Sequence, residues 1–480
     1  VAGVAPEVEI KPFTDSLESL RRAVTERVFS VKVDNVYQEP PRPDAGVFTA
    51  RLAGVRSMLV PLLPRTAPRS HAAFVASYEG RKRQRYQRAL DDVRAGRSSL
   101  EEDAKLKVFV KYEKTDRTNK SDPVPRVISP RDPRFNLRIG RYLKFLEKPL
   151  FQAIDRLFGE PTILKGYNAT EVADIVRSKW EKYQHPVAIG LDASRFDQHV
   201  SLEALRWEHR MYLDCYPEKK HRDRLHRLLK FQEVNRCYGE TPDGELHYSV
   251  VGTRMSGDMN TSMGNCLLMC SMMYAYLQHI GVSASLCNNG DDCVLIFERE
   301  CLQRVTENLD VWFLGMGFSM AVEKPVDVLE QIEFCQTKPV FDGTQYIMCR
   351  NPHTAIPKDS VMLKRYDGER FFRGWLDSVG IGGLALAGGL PIFNEFYQMF
   401  VRSGKRRKIS EEFLPWSFRQ LAKGVNRGYG AVSPHARASF YLAFDITPDE
   451  QLVMEREYCH RVISGQPTTH FWREAFREGF

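Results

Sequence analysis

The chain of 480 residues predicts an α+β protein, and three observations carry that prediction. Between about 151 and 345, helical patterns alternate with short β-rich runs. Within that stretch two apolar runs, Val282–Cys287 and Cys293–Phe297, flank a short polar turn, the pattern of an antiparallel hairpin. Beyond 345 the pattern is mostly helical, with a Gly-rich interruption from Gly380 to Gly389.

Taken in order, residues 1 to about 100 read as irregular, with a Pro-rich stretch from Pro40 to Pro68, except that Ala72–Leu100 reads as helical and basic (Arg81-Lys-Arg-Gln-Arg-Tyr86). From Lys105 to Lys148 there are 13 Lys/Arg against 5 Asp/Glu, an excess equal to the +8 net charge of the whole chain. The stripe is interleaved with Phe109, Tyr112, Phe135 and Tyr142, as in a nucleic-acid or nucleotide channel. Asn168 with Glu171 three residues on forms a capping box, and Val172, Ile175, Val176 and Trp180 follow at helical spacing. Pro186–Leu191 reads as a buried strand, Met259–His279 as a long helix stopped by Gly281, and Leu302–Leu314 as another helix. No internal repeat is visible.

Composition narrows the classes. The hydrophobic fraction of 43% and charged fraction of 27% are those of an ordinary globular protein, long enough for two to four lobes. The basic balance favours an anionic partner. There is neither a signal peptide nor an apolar run of about 20 residues, so the chain is not expected to span a membrane itself. Ten cysteines occur without a CxxC pair. Cys266 and Cys270 share one helix face with no second pair to complete a zinc site, so buried free thiols in a reducing compartment are expected. The start at Val1 fits a fragment or processed product. The sequons at Asn168 and Asn260 carry no weight without a secretory signal.

Three motifs carry chemistry. Gly290-Asp291-Asp292 sits between the two apolar runs, and adjacent carboxylates at a hairpin tip are unfavourable unless a cation lies between them. Alone, the triplet is a weak signal and reads first as a polar hairpin turn; the motifs upstream reverse that. Upstream, Asp192 ends an apolar strand and Asp197 follows five residues later; a turn after Asp192 brings both towards one cleft. In Ser256-Gly257…Thr261…Asn265, Gly257 permits backbone shapes that other residues resist, and Thr261 and Asn265 are four apart on one helix face, suited to hydrogen bonding a ribose.

In this order, basic stripe, DxxxxD, SGxxxTxxxN and GDD, the chain resembles viral RNA-dependent RNA polymerases of the positive-strand class. The wording of Val187–Ser201, Phe334-Cys335-Gln336 and Gly140-Arg-Tyr-Leu resembles the tombusvirus family, carmovirus-like members included. The resemblance implies a right-hand fold: an N-terminal extension and fingers over 1–185, a palm with an antiparallel sheet flanked by helices over 186–345 with finger insertions at about 205–250, and a thumb and tail over 346–480, fingers and thumb being largely helical. It implies two magnesium ions on Asp192 and Asp291, with Asp292 as an additional ligand and manganese as a substitute. Asp197 and Asn265 would read the ribose 2′-hydroxyl, supported by Ser256, Gly257 and Thr261. Lys111, Arg126 and Lys120 are the candidates for triphosphate contacts, and Lys324 for a general acid towards pyrophosphate. Phe334–Gln336 resembles a primer-grip turn. The implied partners are single-stranded RNA template, nascent RNA, ribonucleoside triphosphates and a viral auxiliary protein. That protein, or a missing upstream region, would hold the chain at membrane-associated replication complexes in the host cytoplasm. Primer-independent initiation is implied as well.

Two other readings share parts of this pattern. A reverse transcriptase would keep the metal carboxylates, but normally places a bulky residue where Asp197 stands. A non-enzymatic RNA-binding protein would explain the basic stripe, yet has no use for clustered carboxylates facing RNA phosphates. Gly380-x-Gly382-x-x-Ala385 formally fits a dinucleotide fingerprint, but it follows Phe371–Leu376, which reads as helix rather than strand. Lys405–Lys408 fits an RNA contact or a solvated loop, and the basic, amphipathic tail 471–480 fits packing towards the cleft.

Overall fold

The computed structural model describes residues 8–120, 122–363, 368–404 and 421–463; the Lys405–Lys408 patch and the 471–480 tail lie outside them. At the centre is a four-stranded antiparallel sheet. Its strands are β1 (Pro186–Ala193), β2 (Ala284–Asn289), β3 (Asp292–Glu298) and β4 (Met320–Val322), in the order β2-β3-β1-β4. One face packs on the helix Thr261–Ile280, whose residues from Met263 to Met273 are all buried; Gly281, at φ +63°, closes its C-terminus. Alternation along the strands divides the apolar residues between two cores. Leu191, Leu295 and Phe297 join Leu267 and Met272, whereas Ala188, Val294 and Ile296 join the C-terminal helices.

A second sheet pairs Val234–Thr241 with Gly244–Val251 and adds Leu106–Lys107 in parallel, so the basic stripe is tied to the insertion after β1. After Arg350 the described elements are helices: Pro352–Asp359, Gly368–Ala387, Phe393–Ser403, Pro434–Phe444 and Pro448–Cys459.

Several sequence expectations need correction. The N-terminal hundred residues are not irregular. Ser16 caps a helix over Leu17–Val24, and the Pro-rich stretch contains helices Val47–Arg51 and Ala53–Leu59. Phe48, Leu52, Val55 and Leu59 recur every three or four residues and are buried in the main core, a period that the flanking prolines mask. Phe135 and Tyr142 face that core rather than a channel; of the four stripe aromatics only Phe109 and Tyr112 are exposed. The Gly-rich interruption is confined to Gly388 and Gly389, after the helix ends at Ala387; Gly380, Gly382 and Gly383 lie inside that helix. A Cβ on Gly380 would come within 2.7 Å of the Val401 backbone nitrogen, and one on Gly383 within 2.1 Å of the Tyr397 ring, so they let Gly368–Ala387 pack closely on Phe393–Ser403. The run Leu302–Leu314 splits into Leu302–Thr306 and Leu309–Gly315, because Asn308 leaves helical geometry at φ −131°. The first hairpin strand begins at Ala284 rather than Val282. The Asn168 capping box and free, mostly buried cysteines are as expected.

Candidate active site

The acidic turn is a product of strand geometry. Gly290 and Asp291 join β2 to β3 while Asn289 pairs with Asp292. Gly290 takes φ +88°, which a two-residue hairpin of this kind requires. The buried side chain of Asn288 clamps the turn: its Oδ1 accepts from the Gly290 N–H at 3.1 Å, and its Nδ2 donates to the Gly290 carbonyl at 2.7 Å. On the neighbouring strand Asp192 lies opposite Asp292, with Ala321 of β4 on its other side. Each of the three carboxylates keeps contact with solvent. Even so, withdrawal from bulk water, with the neighbouring carboxylates Asp291 and Asp192 adding to it, pushes Asp292 up to about 6. Asp291 is raised too, by the same withdrawal and by Asp192.

β1 ends at Ala193. Arg195 then turns the chain at φ +49° into the short helix Phe196–His199. That turn puts Asp197 on the same cavity as Asp192. The cavity, of about 740 Å³, is lined by Asp192, Asp197, Asp291, Ser256, Asn265 and Arg126 among others. Gly257 and Thr261 also border it. Gly257 stands at φ +134°, where an added Cβ would lie 2.9 Å from the Ser129 carbonyl oxygen, and the Ser129 N–H donates to the Ser256 carbonyl at 2.7 Å. Close backbone approach therefore requires glycine there. The Thr261 hydroxyl donates back to the carbonyls of Met255 and Asp258, closing the loop at the helix start.

Asp197 is held from behind. Asn265 donates through Nδ2 to Asp197 Oδ1 at 2.8 Å, and its own Oδ1 accepts from Arg254 Nε at 3.1 Å, which fixes the amide orientation. Arg254 forms a two-pronged ion pair with Glu208, one prong Nη1 to Oε1 at 3.0 Å. Asn260 and Tyr212 each donate to Glu208 Oε1 at 2.7 Å. Both charges are buried, Glu208 at 0% and Arg254 at 3% exposure. Burial opposes the Glu208 charge, but Arg254 and the hydrogen bonds hold its carboxyl below the usual range. Burial pushes Asp197 up to about 6, against the Asn265 hydrogen bond and Arg254.

The remaining candidates lie beyond the cavity lining. Lys111 stands beside Arg126 at the end of a short antiparallel strand pair, Phe109–Val110 with Val127–Ile128, its N–H donating to the Arg126 carbonyl at 2.7 Å. Both side chains pair with Glu113, Lys111 at 3.1 Å and Arg126 through two prongs. Lys120 is exposed on a loop. Lys324 is exposed just after β4, beside Glu323, whose carboxylate fills the space over Gly190. Asp292 faces Cys335, and Asn289 Nδ2 donates to Cys335 Sγ at 3.1 Å. Cys335 and Gln336, at φ +52° and +60°, form a tight turn closed by Phe334 and Thr337, so the Phe334–Gln336 motif abuts the acidic turn.

Sequence reasoning missed Lys165 and the Glu208–Arg254 pair. Lys165 lines the cavity beside Asp291, and the Leu164 N–H donates to the Asn288 carbonyl at 2.9 Å. Nothing in Leu164-Lys165-Gly166 marks it. Glu208 shares a helix with Trp207, His209 and Tyr212, and a carboxylate facing inward among such residues was its only signal.

Comparison with known proteins shows the family of the chain. The family described as viral RNA dependent RNA polymerase matches residues 1–464. The chain is 51% identical over 475 residues to the RNA-directed RNA polymerase of Oat chlorotic stunt virus (isolate United Kingdom), covering 95% of this chain and 63% of that protein. It is 44% identical over 459 residues to that of Tobacco necrosis virus (strain A), covering 95% and 63%. It is 42% identical over 468 residues to that of Turnip crinkle virus, covering 95% and 59%. The chain thus spans about three-fifths of the length of these relatives.

Proposed function

Because the chain belongs to the viral RNA-dependent RNA polymerase family, we propose that it joins ribonucleotides on a single-stranded RNA template in the replication of a positive-strand genome. The observation that carries this reading is the single cavity where two metal-binding candidates, Asp192 and Asp291, meet the ribose candidates Asp197 and Asn265. The central sheet would be the palm, the segments around the basic stripe the fingers, and the helices after 350 the thumb.

The donor set fits a hard cation. Asp192, Asp291 and Asp292 offer carboxylate oxygens only, and their crowding is relieved by positive charge. Among the described residues no three His, Cys, Asp or Glu side chains close on a protein-only metal site. Magnesium, which draws its other ligands from substrate phosphates and water, needs none. When bound, two magnesium ions would supply activation of the 3′-hydroxyl and neutralise charge on the leaving pyrophosphate.

The chain's own residues do the rest. Asp197 and Asn265 hold the ribose 2′-hydroxyl; the two already bond each other, and with a deoxyribose the pair loses the further partner that the hydroxyl supplies. Arg126, and beside it Lys111, turn from Glu113 to the triphosphate, the guanidinium offering a bidentate fork. Lys120 is a further contact from its loop, and Lys324 gives a proton to the leaving pyrophosphate. No helix among the described residues is long and apolar enough to cross a membrane. Attachment to replication membranes in the host cytoplasm through an auxiliary viral protein or a further region belongs to the same reading. Initiation proceeds without a primer.

The test is incorporation of labelled ribonucleotides on a primer-free RNA template with Mg²⁺, the parent against Asp291→Ala. Template-dependent product from the parent alone supports the reading. No product from either, with RNA binding intact, replaces it with a binding role.

A further inference from the structure

A second surface, away from the cavity, gathers cations without neutralising them. It is built by three packed helices, His71–Ala76, Gly80–Arg94 and Pro133–Leu143. On Gly80–Arg94, Tyr86, Ala89 and Leu90 face inwards, with Tyr86 and Leu90 packing on Phe74 and Leu137. Arg81, Arg85 and Arg88, spaced four and three apart, form an exposed stripe. Lys82 and Lys144 both lie over the Tyr78 ring, at 4.6 and 3.3 Å from its centre. Arg141 reaches the Arg69 carbonyl, and with Arg138 and Arg94 it surrounds His71. None of these side chains forms an ion pair among the described residues, and none lines the cavity.

Such crowding is unfavourable in itself. Burial and then the Lys82 charge lower Lys144 to about 8, and burial and then Arg85 lower Lys82. A polyanion relieves the repulsive part of that cost, and each phosphate that meets one of these cations releases bound counterions. Among the described residues no large exposed hydrophobic side chain lies on Gly80–Arg94, so the face lacks what insertion into lipid requires. Exposed Gln84 and Gln87 add neutral hydrogen-bonding groups between the arginines.

We propose that the face formed by Gly80–Arg94, Lys144 and Arg141 is a second RNA-binding surface, which holds the phosphate backbone of RNA outside the catalytic cavity. It relies on the polymerase reading only for the choice of RNA as the anion.

The experiment compares the full chain with an Arg81→Gln, Arg85→Gln, Arg88→Gln triple variant. All three positions are exposed, so the melting temperature stays at the parental value. Binding of a labelled single-stranded RNA of about 30 nucleotides is measured across a salt series, without nucleotides. The variant binds about tenfold more weakly at low salt, and the slope of log affinity against log salt falls by about 2, as loss of three phosphate contacts requires. At saturating RNA its kcat equals that of the parent, which a residue in the cleft would change. Unchanged affinity and slope would overturn the proposal, as would a fall in kcat. So would loss of binding to phosphatidylserine vesicles with RNA binding intact, which would make the partner a membrane. The binding arm needs no catalysis, so a failure of the polymerase reading leaves it standing.

Discussion

The two ends of the cavity solve the problem of charge in opposite ways. Around Asp197 the protein supplies its own partners: Asn265 bonds the carboxylate, Arg254 orients Asn265, and Glu208 balances Arg254. Around Asp291 it supplies less: Lys165 and Arg126 act on the carboxylate but do not offset its burial and Asp192. Asp192, Asp291 and Asp292 crowd together at strand ends, with burial and one another raising Asp291 and Asp292. The first arrangement is complete before a ligand arrives, as the proposed selection of ribose needs; the second is incomplete, as the proposed recruitment of a cation needs. Breaking the incomplete end gives the largest effect. Asp291→Asn should reduce nucleotidyl transfer about a thousandfold or more, the loss of several kcal/mol of charge stabilisation. It should leave the melting temperature equal or higher, since a repulsion is removed. A steady-state incorporation assay and a thermal melt check the two halves, and a large drop in melting temperature would show that the turn is structural.

Breaking the complete end should do the reverse. Glu208→Gln leaves the Arg254 charge buried without its counter-charge, which costs about 3–5 kcal/mol of stability. The surviving activity should discriminate less well between ribo- and deoxyribonucleotides, because Asn265 loses the guanidinium that orients it. Denaturant melts and the ratio of kcat/KM for the two nucleotides read these separately. A stability loss with an unchanged ratio would reduce Glu208 to a packing role.

What was legible in the sequence follows the same division. Asp192, Asp197, Asp291 and Asn265 stand in short motifs whose spacing survives in the fold, since a strand end, a tight turn and one turn of helix each set local geometry. Lys111 and Arg126 were legible only through the resemblance of their segments to a family motif; the strand pair that sets them side by side closes a long loop. Glu208 and Lys165 were not, because what brings them to the site is tertiary: a helix face turned inwards, and a bridge from Ile163 to Asn288. The early helices were hidden for another reason. Prolines between Pro40 and Pro68 dominate a reading by composition, yet Phe48, Leu52, Val55 and Leu59 keep helical period between them. Gly380 and Gly383 misled in the same way, since what they mark is contact between helices, while the break itself begins at Gly388.

Between the two ends lies the loop that joins them, and it offers a smaller test. Gly257→Ala places a Cβ 2.9 Å from the Ser129 carbonyl oxygen at a φ of +134°. The strain should cost about 1–3 kcal/mol. Because Ser129–Arg131 is tied to this loop through the buried pair of Arg131 and Asp258, 2.5 Å apart, the displacement should reach Arg126 and raise KM for nucleotide more than it lowers kcat. An unchanged KM in a folded variant would separate the loop from the triphosphate side.

The smallest effect sharpens the comparison by pH. Asp197 and Asp292 both titrate at about 6, well above the model-peptide value, so the folded state binds protons more strongly than the unfolded chain between roughly pH 4 and 6. Their contribution to stability is complete below the unfolded value and is lost as pH rises through 6. Metal-free melts of the parent should therefore show this part of the stability declining from about pH 4 to 6, and both Asp197→Asn and Asp292→Asn should flatten the decline. Magnesium separates the two. At pH 7 the ion relieves the ionised carboxylates at the turn and should raise the melting temperature of the parent and of Asp197→Asn, but much less that of Asp292→Asn or Asp291→Asn. Equal stabilisation of all four by magnesium would place the ion elsewhere and dissolve the distinction between an end that waits for a cation and an end that does not.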